Sequence, residues 1–80
     1  MPTFLLHHRH AADKCGVAFA AFKGHDSKLR HEPAIASCAA GGHEIWWIVE
    51  AASEADALSQ LPYYIAVRST ATAVRAVRIP

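Results

Sequence analysis

Histidine is the residue whose number and spacing in this chain point most directly to chemistry. Six of the 80 residues are histidine, and three of them fall in the run HHRH near the N-terminus. Histidine is the commonest metal ligand and the side chain that titrates closest to neutral pH. On a β-strand His8 and His10 would leave the same face with their Cα atoms about 6.6 Å apart. Two imidazoles in that arrangement can converge on one metal ion.

A third candidate ligand is His43, which begins another predicted strand. The βαββαβ order that the sequence predicts makes this strand a neighbour of the first one, so His43 is expected beside His8 and His10. Three neutral imidazoles suit Ni, Zn, Cu or Fe and leave coordination positions for water or substrate. The alternative interpretation is a polar strand end whose histidines are solvated or hydrogen-bonded.

The two cysteines, Cys15 and Cys38, are expected at the same end of the sheet as these histidines. They lack CxxC spacing, and two cysteines are too few for a disulfide scaffold, so reduced thiols are predicted. A thiol at a helix N-terminus can act as a ligand or nucleophile. Cys15 nevertheless shares an apolar helical stripe with Phe19 and Phe22, and Cys38 lies among alanines, so core packing is the preferred interpretation of both.

Six short elements must position these side chains. Apolar periodicity and turn residues predict the order βαββαβ. Asp13 is expected to cap the first helix, Gly41-Gly42 to form a two-residue hairpin turn, Ser53 to cap the second helix and Pro62 to kink it. The predicted strands cover 3–9, 34–40, 43–50 and 71–79, and the predicted helices cover 14–23 and 53–67.

This order predicts an α+β fold of the ferredoxin-like type, a four-stranded antiparallel sheet with both helices on one face. The whole chain, 1–80, is expected to form a single domain. The strand over 43–50 is apolar on both sides, with Trp47 on one and Trp46 and Ile48 on the other. Because a solvated sheet face should alternate with polar residues, a second copy is expected to cover the outer face. The predicted assembly is a homodimer with the architecture of a dimeric α/β barrel.

Composition excludes several classes of function. Eight basic residues balance seven acidic ones for a net charge of +1, without the basic patch that nucleic-acid binding requires. No apolar run is long enough to span a membrane, and the N-terminus does not resemble a signal peptide, so a cytoplasmic location is predicted. The sequence contains no P-loop, dinucleotide-binding, zinc-protease or serine-hydrolase motif.

The C-terminal half resembles a known superfamily. VEAASEADALSQLPYYIA followed by VRAVRIP is similar to the helix entry and strand ending of the small dimeric α/β-barrel proteins. These include stress-responsive, YCII-related and nickel-responsive proteins and cofactor-free monooxygenases. HHRH is similar to the first strand of the nickel-responsive group. The resemblance implies a fold more than an activity, and no ligand set is carried over from it.

Three functions follow as hypotheses. The leading one is a small homodimeric transition-metal-binding protein for sensing, storage or sequestration, with His8, His10 and His43 as ligands. The alternative is a cofactor-free monooxygenase or isomerase that acts on a small hydrophobic substrate in the dimer cavity. The third is a non-catalytic accessory protein. Catalytic residues are not assigned under any of them.

Overall fold

Four strands and three short helices follow one another in the order βαββααβ in the computed structural model, which describes residues 1–80. They are β1 (Thr3–Arg9), α1 (Cys15–Ala20), β2 (Ile35–Ala36), β3 (Glu44–Glu50), α2 (Glu54–Leu58), α3 (Tyr63–Ala66) and β4 (Ser69–Val74). Two single 3₁₀ turns, Ala12–Lys14 and Cys38–Ala40, precede α1 and follow β2.

The strands form one antiparallel sheet in the order β2-β3-β1-β4. In the central pair, Leu6 lies opposite Trp47 and His8 lies opposite Ile45. The prediction of an α+β fold with a four-stranded antiparallel sheet is therefore confirmed. The start of β3 also adjoins the end of β1, as the metal-site hypothesis required.

The strands differ from their predicted bounds where turns compete with them. β1 has the predicted extent, whereas β2 is reduced to Ile35–Ala36 because the chain turns at Ser37. The predicted two-residue Gly41-Gly42 hairpin is wrong, since a 3₁₀ turn and further residues separate β2 from β3. β4 starts two residues earlier than predicted and ends at Val74.

The helices are shorter than predicted. The first starts with a 3₁₀ turn at Ala12–Lys14, and Asp13 makes no capping hydrogen bond. Ser53 caps α2 as expected, its Oγ accepting from the Asp56 amide at 3.1 Å. The predicted helix over 53–67 is divided into α2 and α3, because Pro62 lacks an amide hydrogen and lies in extended conformation before α3. None of the helices has the length and apolarity needed to cross a membrane.

One face of the sheet packs against the helices and forms the core. Strand residues of that face alternate with residues of the outer face, as the period of a strand requires. Burying Leu6, Ile45 and Ile65 completely contributes roughly 1.5–3 kcal/mol for each side chain. The ten core residues are Phe4, Leu6, Ala18, Ile45, Trp47, Val49, Ala51, Ala57, Leu61 and Ile65. His8 lies on the same face and is as fully buried as its apolar neighbours.

Candidate metal centre

Four side chains from four segments converge at one end of the sheet. His10 follows β1, Cys15 begins α1, Cys38 begins the second 3₁₀ turn and His43 directly precedes β3. Their ligand atoms all lie within 4.8 Å of one another. Two imidazole nitrogens and two thiols at this spacing form a donor set that can hold a metal ion such as Zn²⁺.

The distances are close to those of tetrahedral coordination. Cys15 Sγ lies 3.3 Å from His10 Nε2 and 3.1 Å from His43 Nδ1. Cys38 Sγ lies 3.4 Å from the same nitrogen of His10. Zn–S bonds of about 2.3 Å and Zn–N bonds of about 2.0–2.1 Å place tetrahedral S and N ligands about 3.6 Å apart. Small movements of the ligands would therefore suffice to coordinate an ion.

The turn between β2 and β3 positions Cys38 and His43. The Ser37 amide donates to the Glu44 carbonyl at 2.9 Å, and the Glu44 amide donates to Ser37 Oγ at 3.1 Å. These bonds close the loop that carries the two ligands. A Cβ on Gly42 would collide with the Ser37 side chain, so this close approach requires glycine.

The backbone also ties the ligands to the sheet. The His10 amide donates to the His43 carbonyl at 3.1 Å, which extends the pairing of β1 and β3 by one bond. His43 itself adopts a left-handed conformation with φ of 54°, which is uncommon for a residue other than glycine. Such strained positions are over-represented at ligand sites.

A buried hydrogen-bonded chain lies behind His10. His8 Nε2 is 3.1 Å from His10 Nδ1, and His8 Nδ1 is 3.5 Å from Ser69 Oγ, which donates to the Ile65 carbonyl at 2.6 Å. Coordination through His10 Nε2 leaves its Nδ1 protonated, so Nδ1–H can donate to His8 and His8 can donate to Ser69. Each group in the chain then has a partner, and the orientation of the His10 ring is set from behind.

The electrostatics favour neutral imidazoles. Burial lowers the pKa of His8 first of all, and the adjacent His10 lowers it further. Burial and then His43 likewise lower the pKa of His10. A neutral imidazole is the form that binds a metal. Burial raises the pKa of the Cys38 thiol, as does the adjacent Cys15 thiol, and a bound cation would reverse this effect because it would stabilise the thiolate.

The structure places the predicted site residues in two different roles. His10 and His43 belong to the four-residue cluster, whereas His8 lies outside it and contacts His10. The interpretation of Cys15 and Cys38 as core residues is wrong, because both are half-exposed and face histidine nitrogens. The sequence did carry a signal for the thiols: the four residues form an H-x₄-C pair and a mirrored C-x₄-H pair.

Replacing His8 with phenylalanine is expected to lower Zn²⁺ affinity by about 10- to 100-fold, the usual effect of losing an outer-shell partner. Phenylalanine fills a similar volume but removes the acceptor for His10 Nδ1–H. A competition titration against a chromogenic chelator measures the change. His7→Phe is the matched control, since His7 lies on the opposite face of β1. Equal affinity in wild type and His8→Phe would show that the hydrogen-bonded chain does not support the site.

Comparisons of this chain with protein-family models, with curated proteins and with solved structures found no significant match. What the fold and the cluster themselves define is a small α+β domain with a His₂Cys₂ group at one end of its sheet. The resemblance to the dimeric α/β-barrel superfamily stays a prediction.

Proposed function

We propose that this protein binds one transition-metal ion, Zn²⁺ by preference, through His10 Nε2, His43 Nδ1, Cys15 Sγ and Cys38 Sγ. The observation that carries the proposal is the convergence of these four atoms within 4.8 Å. They come from segments up to 33 residues apart in sequence, so chain proximity does not explain the cluster.

The donor set favours Zn²⁺ over the other metals that the sequence suggested, which were Ni, Cu and Fe. Two thiolates and two imidazoles in a tetrahedral arrangement are typical of Zn²⁺. Ni²⁺ and Cu²⁺ favour square-planar or tetragonal geometry. Four protein ligands complete a tetrahedral shell, which leaves no position for substrate. The site therefore fits a structural, sensing or sequestering role better than Lewis-acid catalysis.

The exposure of the ligands favours reversible binding. His10 is buried, but Cys15, Cys38 and His43 are half-exposed. The thiolates are therefore within reach of chelators and competing proteins. Because the four ligands belong to separate segments, binding and release of the ion change how firmly α1 and the β2–β3 turn are held. This coupling is the physical basis of the proposed sensing or sequestering role.

Elemental mass spectrometry of untagged protein, purified without a metal-affinity step, is the direct test. We expect close to one Zn²⁺ per chain, and cobalt substitution should give the absorption of a tetrahedral Co²⁺–thiolate site. A protein that is isolated without metal and also fails to take up Zn²⁺, Ni²⁺ or Cu²⁺ would refute the proposal. The cofactor-free enzyme and the accessory protein would then be the surviving hypotheses.

We also propose that the domain is ferredoxin-like and that a second copy covers its outer sheet face. The strand order β2-β3-β1-β4 and the helices packed on one face support the fold. The outer face carries Trp46, Ile35 and Ile48, the last two more than 70% exposed. A two-fold axis would place this apolar surface against an identical one and remove both from water.

Ile48→Lys is expected to shift a wild-type dimer to monomer, because it would place two charges within an apolar interface. Sedimentation velocity measures the result. Ile79→Lys, a similarly exposed position in the C-terminal segment, is the matched control. The outer face is not apolar throughout. At the end nearest the four-residue cluster, His7 and Arg9 hydrogen-bond to Glu44 and lower the pKa of its carboxyl, so that end of the face is polar. A monomeric wild type would contradict the dimer without affecting the metal proposal.

A further inference from the structure

A cavity of about 380 Å³ lies on the helix side of the sheet, away from the outer face. Its size falls within the roughly 300–1,000 Å³ of small-molecule sites. Ile45 and Trp47 of β3 line it and are buried, and Phe19 of α1 and Phe22 of the turn after α1 also line it. The Phe22 and Trp47 rings contact each other, with centroids 5.9 Å apart. The cavity therefore offers an aromatic surface to an apolar ligand.

Charged groups from the neighbouring loop complete the lining. Lys23, Arg30, His31 and Glu32 all border the cavity. Both ion pairs in the protein involve Glu44, so neither cation of the cavity is neutralised by a carboxylate within 4.0 Å. Two cations against one carboxylate leave an excess of one positive charge when His31 is neutral. An anionic group is the better complement to this lining.

We propose that this cavity binds a small carboxylic acid with an apolar body. The body would pack against Phe22 and Trp47, and the carboxylate would face Lys23 and Arg30. No lining residue belongs to the four-residue metal cluster, so the site is a second one with its own ligand class. It also differs from the dimer cavity considered from the sequence, because it lies on the opposite face of the sheet.

Isothermal titration calorimetry with octanoate tests the proposal, with 1-octanol as the neutral probe of the same chain length. The protein is used as purified, with its metal content measured in the same samples. We expect one octanoate per chain and weaker binding of octanol. Lys23→Gln and Arg30→Gln should each reduce octanoate affinity by about two- to fivefold, as expected for partly solvated charge pairs. Arg75→Gln, outside the cavity, should leave affinity unchanged.

A cavity-filling variant distinguishes this site from any other apolar surface. Ala36 lines the cavity, is itself exposed and lies opposite Ile45 in the sheet, so Ala36→Phe adds a ring there without removing a core side chain. This variant should abolish octanoate binding, whereas Ala52→Phe, exposed and outside the cavity, should not. Undiminished binding to Ala36→Phe, or no octanoate binding by the wild type, would overturn the proposal. Equal affinity for octanol and octanoate would overturn the assignment of an anionic ligand.

Discussion

Replacing either Cys15 or Cys38 with serine is expected to reduce Zn²⁺ affinity by more than about 100-fold. Losing a residue that only hydrogen-bonds to a ligand already lowers metal affinity about 10- to 100-fold, and each of these variants removes a ligand itself. Serine is similar in size but does not supply a thiolate. The measurement is competition against a chelator of known affinity, together with the cobalt spectrum, in which loss of one thiolate should weaken the sulfur-to-metal charge-transfer band.

Histidine variants give the matched comparison for this experiment. His43→Gln is expected to behave like the cysteine variants, whereas His31→Gln should bind Zn²⁺ like the wild type because His31 lies outside the cluster. Circular dichroism of each variant shows whether the fold is retained. If both serine variants kept wild-type affinity, the thiols would not be ligands. A site built on His8, His10 and His43 would then have to be reconsidered.

Removing the metal is expected to lower the thermal stability of the protein by a large amount. At free Zn²⁺ about 1,000-fold above Kd, binding contributes about 4 kcal/mol. For a domain of this size that corresponds to a fall in Tm of roughly 15–30 °C. The cluster joins parts of the chain that bury little apolar surface, since α1 buries only Ala18 and β2 buries no residue. Thermal unfolding with and without a zinc chelator measures the effect.

Hydrogen exchange shows where the loss of stability occurs. Amides of α1 and of the turn between β2 and β3 should exchange faster without metal than those of the β1–β3 pair. The double variant Cys15→Ser/Cys38→Ser is the control, and its Tm should not respond to chelator. An equal response of wild type and double variant would show that the chelator acts elsewhere, and no response in either would contradict a structural contribution of the metal.

Much of the framework could be predicted from local pattern. The alternation in β1 and β3 divided their residues into two faces, because successive side chains of a strand point to opposite sides. It did not indicate which face of β3 packs against the helices, since both are apolar. Ser53 and Pro62 marked the boundaries of α2 and α3 through capping and the missing amide hydrogen. The bounds of β2 could not be predicted in this way, since they depend on the hydrogen bonds that Ser37 makes with Glu44.

The ligand set required the tertiary structure. His8 and His10 do lie on the same buried face, and their rings contact each other. Only His10 Nε2 also reaches the thiols of Cys15 and Cys38. The nitrogens of His8 contact His10 and Ser69 instead, so His8 lies behind the ligand set.

The sequence by itself determined the four-stranded sheet and the end of the molecule at which histidines and thiols gather. Those properties follow from side-chain periodicity and element order, which are local or topological. Only the tertiary structure decided that Cys15 and Cys38 face the imidazoles of His10 and His43. Coordination requires the ligand atoms of residues far apart in sequence to be placed to within a few tenths of an ångström, and short-range patterns do not encode such positions.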